Sequence, residues 1–212
     1  MKKIICFDVN GTLIDGKTWD VLTSGRKDIE KELEESFNQY FKNEIKIEEA
    51  WSRFVSILKR AGISSRDYIY SCCENENSFK DGAKDIILYL KEKGYKIYLI
   101  SCSIDVHLSS LVNKIGLDGM YAGSRLIFDD NGDLSSIETE CVKGRSFKEE
   151  CLENLSQKEG VDIKDIIFVG DGNNDIGPFK MTGHGIAIGN NKELVDVSWK
   201  QIDRLSQIKE IL

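Results

Sequence analysis

Acidic side chains follow two of the most apolar stretches of the chain. In "IICFDVNGT", Asp8 comes directly after four apolar residues, and Gly11 allows the backbone to turn tightly. In "IIFVGDGNND", a second apolar run leads into Asp171 and Asp175. If both runs are parallel strands, their carboxyl ends meet at one edge of the sheet, where ligands bind. Three carboxylates there would make an oxygen-only site suited to Mg²⁺, although each segment alone also suits an ordinary turn or helix cap.

A hydroxyl group and a lysine are further candidates for an anion site. Ser101 ends the apolar run "YKIYLIS" and precedes a predicted helix, whose N-terminus would favour an anion. Lys143 and Lys148 both lie in "CVKGRSFKEEC", ahead of the Ile166–Val169 run. Taken alone, Ser101 reads as a plain helix cap and each lysine as a surface charge. A lysine is needed here only if a phosphate has to be neutralised.

Short apolar runs typical of buried strands alternate with stretches of helical periodicity over most of the chain. The predicted strands are Ile4–Phe7, Tyr95–Ile100, Ile166–Val169 and Ile186–Ile188. The predicted helices are 83–93, closed by Gly94, then Ile104 to about Ile115 with Ser103 as N-cap, and 147–159. Strands separated by helices imply a parallel sheet covered on both faces, so the predicted fold class is α/β.

Two regions interrupt this alternation. Residues 15–79 contain no convincing buried strand, and their apolar residues recur at a helical spacing. This region is therefore predicted to be a small helical insert directly after the first strand. In residues 124–139, the pair Asn131-Gly132 stands between two short runs, which is typical of a β-hairpin.

Composition limits the classes of partner. The chain has 212 residues, of which 41% are apolar, enough for one medium domain with a small insert. A net charge of -7 argues against nucleic acid or an anionic membrane surface as a partner. The N-terminal apolar run is too short for a signal peptide, and no run approaches the ~20 residues of a membrane span. The six scattered cysteines form no CxxC pair and are expected to be reduced thiols in a cytoplasmic protein.

The order of these motifs along the chain is more specific than any one of them. A carboxylate after the first strand, a hydroxyl after a later strand, a lysine in a helix and an acidic GDGxxD loop follow one another. In this order the chain resembles the haloacid dehalogenase (HAD) superfamily, and within it the phosphoserine phosphatase-like branch. The resemblance implies a Rossmann-like, doubly wound α/β core at 1–14 and 80–212, with a helical cap at 15–79 and the β-hairpin.

The resemblance also implies how the acidic residues act. Asp8 would be the nucleophile that attacks phosphorus and becomes an aspartyl-phosphate. Asp8, Asp171 and the backbone carbonyl of Asn10 would be ligands of Mg²⁺, and Asp175 would complete or orient the metal shell. A bound cation and a lysine are physically required, because an anionic carboxylate otherwise repels an anionic phosphate.

Further residues are implied to contact the phosphate group. Lys148 matches the family lysine through its place in the helix before the third strand, and Lys143 is the alternative. A small phosphorylated metabolite is the expected partner, and a homodimer is compatible with the sequence. The phosphate-binding residues implied in this way are Gly11, Thr12, Ser101, Cys102, Lys148 and Asn174.

Asn10 departs from the family. HAD phosphatases carry a second aspartate there, which protonates the leaving oxygen and later activates the hydrolytic water. An amide exchanges no proton at ordinary pH, and general acid–base help is worth about 10²–10⁴-fold in rate. Three hypotheses stay open: a slow or specialised phosphatase, a phosphate-ester-binding protein with little or no turnover, and a dehalogenase. The metal-type loop Asp171–Asp175 argues against the dehalogenase.

The predicted cap departs as well. Phosphoserine-specific members carry a glutamate shortly after the nucleophile motif and an arginine in the cap. Here "DGKTWD" has no glutamate, and Phe54 stands at the arginine position with Arg53 beside it. We therefore do not predict phosphoserine as the substrate. Trp19, Trp51 and Phe54 are candidates for the substrate pocket, but their helical spacing favours a role in the cap core.

Overall fold

The central strands of the sheet are the most apolar segments of the sequence, as burial on both faces requires. The computed structural model describes residues 3–75, 78–142 and 146–212. Within these residues one sheet of seven strands has the order β4-β3-β2-β1-β5-β6-β7, and all pairs are parallel except β3 with β4. The strands are β1 Lys3–Phe7, β2 Tyr95–Ile104, β3 Gly119–Phe128, β4 Leu134–Thr139, β5 Ile166–Gly170, β6 Gly185–Ile188 and β7 Lys200–Ile202.

Helices cover both faces of this sheet. Alternate residues of β1 enter different cores: Ile5 and Phe7 pack with the helices Ala83–Glu92 and Asp105–Ile115, whereas Ile4 and Cys6 pack with the helices Phe147–Glu159 and Ile176–Thr182. The helices in the described residues are α1 Thr18–Thr23, α2 Lys27–Phe41, α3 Ile47–Arg60, α4 Arg66–Asn75, α5 Ala83–Glu92, α6 Asp105–Ile115, α7 Phe147–Glu159, α8 Ile176–Thr182, α9 Lys192–Val195 and α10 Ile208–Ile211. The predicted doubly wound α/β fold is confirmed. No helix in these segments offers an apolar stretch long enough to cross a bilayer.

The segment after β1 is helical, as its periodicity predicts. Helices α1–α4 form it, and their apolar faces make a separate core that also includes residues of the β3–β4 hairpin. Backbone hydrogen bonds fasten the hairpin to this helical segment, from the Arg66 N–H to the Gly132 carbonyl (2.7 Å) and from the Leu134 N–H to the Ser64 carbonyl (2.9 Å). The segment therefore lies against the sheet at a fixed point beside the carboxyl ends of the strands.

One predicted boundary is wrong. β2 continues to Ile104, four residues beyond the predicted end at Ile100, and α6 begins at Asp105. Ser103 is therefore part of the strand and does not cap the helix. At the start of the helix the Val106 N–H instead donates to Oδ1 of Asp105, at 2.9 Å. The extension matters because it carries Ser101 and Ser103 on a strand.

Candidate active site

Three neighbouring strands bring the predicted site residues to one edge of the sheet. β1 lies between β2 and β5, and all three run parallel. Asp8 directly follows β1, Ser101 lies near the carboxyl end of β2, and Asp171 directly follows β5. All three residues line one cavity of about 650 Å³, and residues of α1, α2 and α3 form another part of its lining.

A tight turn after β1 holds Asp171 in place. Gly11 has a φ of +79°, and a Cβ atom there would lie 2.2 Å from Oδ2 of Asp171, so only glycine permits this approach. The hydroxyl of Thr12 donates to Oδ1 of Asp171 at 2.8 Å. The N–H groups of Gly11 and Thr12 bind the carbonyls of Ile14 and Val9 at 3.0 and 3.2 Å. Gly11 and Thr12 therefore position Asp171 without lining the cavity themselves. Their contact with phosphate stays a prediction.

Lys148 lies in the centre of the acidic cluster. It is the second residue of α7, it is only 2% exposed, and its ammonium is 2.6 Å from Oδ1 of Asp175 and 3.2 Å from Oδ2 of Asp8. Burial would lower the pKa of Lys148, but the two carboxylates outweigh burial and raise it. The lysine is therefore a permanent cation beside Asp8, and Lys143 lies outside the described residues.

The two carboxylates after β5 have different surroundings. Asp175 is fully buried, and its Oδ2 accepts hydrogen bonds from the N–H groups of Asp171 (3.1 Å) and Gly172 (3.0 Å). Burial raises the pKa of Asp175 to about 6, against the opposing effect of Lys148. Burial also raises the pKa of Asp171, which lines the cavity. Asp175 thus shapes the loop and orients the lysine, while Asp171 faces the cavity.

The donor set fits a divalent cation. One oxygen from each of Asp8, Asp171 and Asp175 lies within 4.8 Å of the other two. Oδ1 of Asp8 is buried and has no hydrogen-bond partner in the described part of the chain. Carboxylate oxygens are the ligands that Mg²⁺ prefers. An orphaned carboxylate oxygen inside a cluster of three acidic groups is what a bound cation would satisfy.

Comparison with known proteins identifies the family. Residues 2–183 match the haloacid dehalogenase-like hydrolase family. The chain belongs to this family. Phosphoserine phosphatase from Methanocaldococcus jannaschii is 31% identical over 191 residues, which cover 88% of this chain and 85% of that protein. Phosphoserine phosphatase from Archaeoglobus fulgidus is 30% identical over 201 residues, 93% of this chain and 55% of that protein.

A solved structure gives the same result. A phosphoserine phosphatase described as a phospho-aspartyl intermediate analogue is similar with a TM-score of 0.80 and 29% identity, over 100% of this chain and 99% of that one. The predicted HAD family and its phosphoserine phosphatase-like branch are confirmed, and with them the enzyme class of phosphoric monoester hydrolases.

Asn10 occupies the cavity of this HAD-type site as a fixed amide. Its Nδ2 donates to the carbonyl of Gly16 at 3.2 Å, and its Oδ1 accepts from the hydroxyl of Thr18 at 3.3 Å. Thr18 is in turn 2.6 Å from the hydroxyl of Ser103. Thr18 and Ser103 both line the cavity, a position that their sequence context does not predict. No sequence signal joins two hydroxyl residues that lie 85 positions apart.

Other predicted HAD phosphate contacts also lie around the cavity. Ser101 is 3% exposed and its Oγ accepts from the Ser103 N–H at 3.4 Å. Asn174 lies in a 3₁₀ turn over Asn173–Asp175 and is exposed where it lines the cavity. Both residues line the same cavity as Asp8, and their contact with phosphate stays a prediction.

Cys102 also lines the cavity, but as half of a disulfide with Cys141. The expectation that every cysteine is reduced is therefore wrong for this pair. The two residues are 39 positions apart and meet because the hairpin returns beside the end of β2. The cysteines at 6, 72, 73 and 151 are not in a disulfide.

The cap side of the cavity is aromatic. Trp19, Trp51 and Phe54 belong to the core of the helical segment, as predicted, and they also line the cavity. Phe37 from α2 joins them and stacks on Trp19 with the ring centroids 4.7 Å apart. Arg53 is not part of this wall, because its guanidinium donates to Glu49 and Gln39, each at 2.6 Å, on the outer side of α3.

Proposed function

We propose that the chain is an Mg²⁺-dependent phosphatase that hydrolyses a small phosphate monoester through an aspartyl-phosphate on Asp8. The observation that carries this proposal is a buried carboxylate at a cavity, paired with the buried ammonium of Lys148 at 3.2 Å and faced by Asp171. A carboxylate held this way is anchored for attack, and the cation beside it offsets the charge of an incoming phosphate.

The residues divide the work along the reaction. An oxygen of Asp8 forms a bond to phosphorus while the bond from phosphorus to the leaving oxygen breaks. Ser101 contacts a phosphate oxygen, and Lys148 neutralises the transferred group. When bound at the three carboxylates, Mg²⁺ supplies further positive charge for the transferring phosphoryl group. Water then hydrolyses the acyl phosphate, which restores Asp8 and releases inorganic phosphate.

Asn10 limits this cycle. An aspartate at this position would give the leaving oxygen its proton and then take one from the attacking water, and the amide does neither. Without this general acid–base catalysis, each step that needs the proton transfer is slower by about 10²–10⁴-fold. We propose that the enzyme is slow with ordinary alkyl phosphates and that its aspartyl-phosphate is long-lived. The same residue favours the second candidate, a protein that binds phosphate esters without turning them over.

The relatives support the covalent route. A similar solved structure is described as a phospho-aspartyl intermediate analogue of phosphoserine phosphatase, and its fold matches this chain throughout. The carboxylate of Asp8, directly after β1, is the group to which this proposal assigns the intermediate. A dehalogenase would need no cluster of three carboxylates, which supports phosphate as the substrate group.

The test is to trap the intermediate. The protein is incubated with p-nitrophenyl phosphate and Mg²⁺, quenched in acid and weighed by intact mass spectrometry, while nitrophenol release is followed separately. We expect one phosphoryl group per chain and slow continued release, and neither in Asp8→Asn. Binding of inorganic phosphate with no covalent phosphoryl group and no release would overturn the phosphatase in favour of the binding protein. Release of halide from a haloacid in EDTA would favour a dehalogenase.

A further inference from the structure

The helical segment at 15–79 contributes one wall of the cavity. Aromatic rings from three helices form a connected cluster there. Phe37 stacks on Trp19 at 4.7 Å and meets Trp51 edge-on at 4.9 Å, and Trp51 meets Phe54 edge-on at 5.3 Å. A cavity of about 650 Å³ falls within the usual size of a small-molecule site, and this wall offers rings on which a further ring could pack.

Charged groups are scarce on the same wall. Lys17 is the only charged residue that the described part of the 15–79 segment contributes to the cavity lining. Its ammonium is already paired with Glu34 at 2.5 Å and lies 5.2 Å from the ring of Trp19. Arg53 is committed to Glu49 and Gln39 outside the cavity.

This wall is unsuited to an amino acid head group. An ammonium and a carboxylate placed against it would lose hydration, and the only charged partner that the described part of this wall offers is the Lys17 ammonium, which Glu34 already pairs, so the loss is costly. An uncharged ring placed there would instead bury apolar area and make edge or stacking contacts with the aromatic cluster.

Asn10 selects for the same kind of alcohol. Its amide lines the cavity, is held by Gly16 and Thr18, and has no proton to give to the leaving oxygen. An aliphatic alcohol is about as weak an acid as water, so its alkoxide leaves poorly without a proton. A phenolate, with a pKa of about 10 as in tyrosine, leaves far more readily without a proton. The aromatic wall and the amide are independent features, and both disfavour an alkyl phosphate such as phosphoserine.

Resting on the phosphatase function above, we propose that the substrate is a phosphate monoester of an uncharged, phenol-type aromatic alcohol whose ring packs on the Trp19, Phe37, Trp51 and Phe54 cluster. An oxygen of Asp8 bonds to phosphorus, and the bond from phosphorus to the aryl oxygen breaks. The phenolate departs with the electron pair and takes its proton from solvent. Hydrolysis of the acyl phosphate by one water then gives inorganic phosphate and restores the carboxylate.

Binding tests the aromatic site without turnover. Calorimetry on the full-length Asp8→Asn protein with Mg²⁺ compares phenyl phosphate, phosphoserine and inorganic phosphate. We expect phenyl phosphate to bind at least about 10-fold more tightly than phosphoserine, from the packing of one ring. Equal affinity, or tighter binding of phosphoserine, would overturn the proposal even if the enzyme is a phosphatase.

Variants locate the ring. Trp51→Leu in the same Asp8→Asn protein should lower the affinity for phenyl phosphate by about 3- to 10-fold and leave the affinity for inorganic phosphate unchanged. Trp51→Phe keeps a ring in the wall, so its affinity for phenyl phosphate should fall less. It also serves as a control for a folding defect in Trp51→Leu. Trp199, 42% exposed and outside the cavity, supplies the matched control Trp199→Leu, which should bind like the parent. Equal losses for both ligands in Trp51→Leu would show that the ring does not bind there.

Turnover of the unmodified protein separates the two proposals. Phenyl phosphate, benzyl phosphate and phosphoserine are compared with acetyl phosphate, a reactive substrate without a ring. We expect kcat/KM for phenyl phosphate to exceed that for phosphoserine by at least about 100-fold, with benzyl phosphate similar to phenyl phosphate in KM but lower in kcat. If acetyl phosphate is hydrolysed and the esters show no preference, only the aromatic specificity fails. If no compound is hydrolysed and Asp8 is never phosphorylated, the phosphatase function itself fails.

Discussion

The buried ammonium of Lys148 makes a measurable contribution to stability. Replacing it with methionine should destabilise the protein by about 3–5 kcal/mol near neutral pH, the cost of leaving a buried charge unpaired. The ammonium lies 2.6 Å from Oδ1 of Asp175 and 3.2 Å from Oδ2 of Asp8, and all three residues are buried. Methionine keeps most of the volume, so the loss is electrostatic. For a chain of this length we expect a melting temperature lower by roughly 6–20 °C.

Protonation of Asp175 limits this cost and gives it a pH signature. Burial raises the pKa of Asp175 from 3.8 to about 6 while Lys148 opposes the shift, so losing the lysine raises this pKa further. From about pH 6 up to this raised pKa, the folded variant then keeps a proton that the unfolded chain has lost. Its stability therefore falls as pH rises, by up to about 1.4 kcal/mol per pH unit. The wild-type carboxyl is already ionised over most of this window and contributes little slope.

Urea denaturation in EDTA at several pH values measures both effects, followed by circular dichroism and tryptophan fluorescence. The double variant Lys148→Met/Asp175→Asn should regain part of the lost stability, because one of the two buried carboxylates that the lysine paired is then uncharged. Lys143→Met is the matched control and should behave like the wild type. The reasoning is refuted if Lys148→Met stays within about 1 kcal/mol of the wild type near neutral pH and shows the same pH slope. A larger loss from Lys143→Met would reverse the choice of lysine.

Three further predictions concern the proton donor, the metal and the disulfide. Asn10→Asp should raise kcat/KM, which reports formation of the aspartyl-phosphate, about 10²–10⁴-fold for benzyl phosphate and much less for phenyl phosphate, and equal gains in kcat/KM would contradict the leaving-group argument. Mg²⁺ at about tenfold over its Kd should raise the melting temperature by about 3–6 °C, and the same rise in Asp171→Asn would exclude this residue as a ligand. Thiol titration of the unfolded, unreduced chain should find four thiols, because Cys102 and Cys141 are paired, and six would contradict the disulfide.

Local pattern was enough to predict most of the fold. The apolar run at β1 predicts a central strand because only a strand buried on both faces needs apolar residues at every position. The spacing of Ala83, Ile86, Ile87 and Leu90 predicts α5, and all four are buried. The end of β2 was missed because a serine before a helix suggests a cap, whereas pairing with β3, a contact distant in sequence, extends the strand to Ile104.

Motif order predicted the centre of the site, and the structure added its contacts. Asp8, Asp171 and Ser101 could be placed together from sequence because the carboxyl ends of adjacent parallel strands share one edge. The pairing of Cys102 with Cys141 could not be predicted, because spacing alone does not determine which cysteines meet.

The sequence by itself determined the strands, the acidic loop and the amide at Asn10, since each is a property of residues close together in the chain. The tertiary structure decided what surrounds them. It placed Lys148 between Asp8 and Asp175, and it aligned rings from three helices into one wall of the cavity. Helical periodicity shows that Trp51 is buried, but not what it is buried against, because that depends on how the helical segment packs over the sheet.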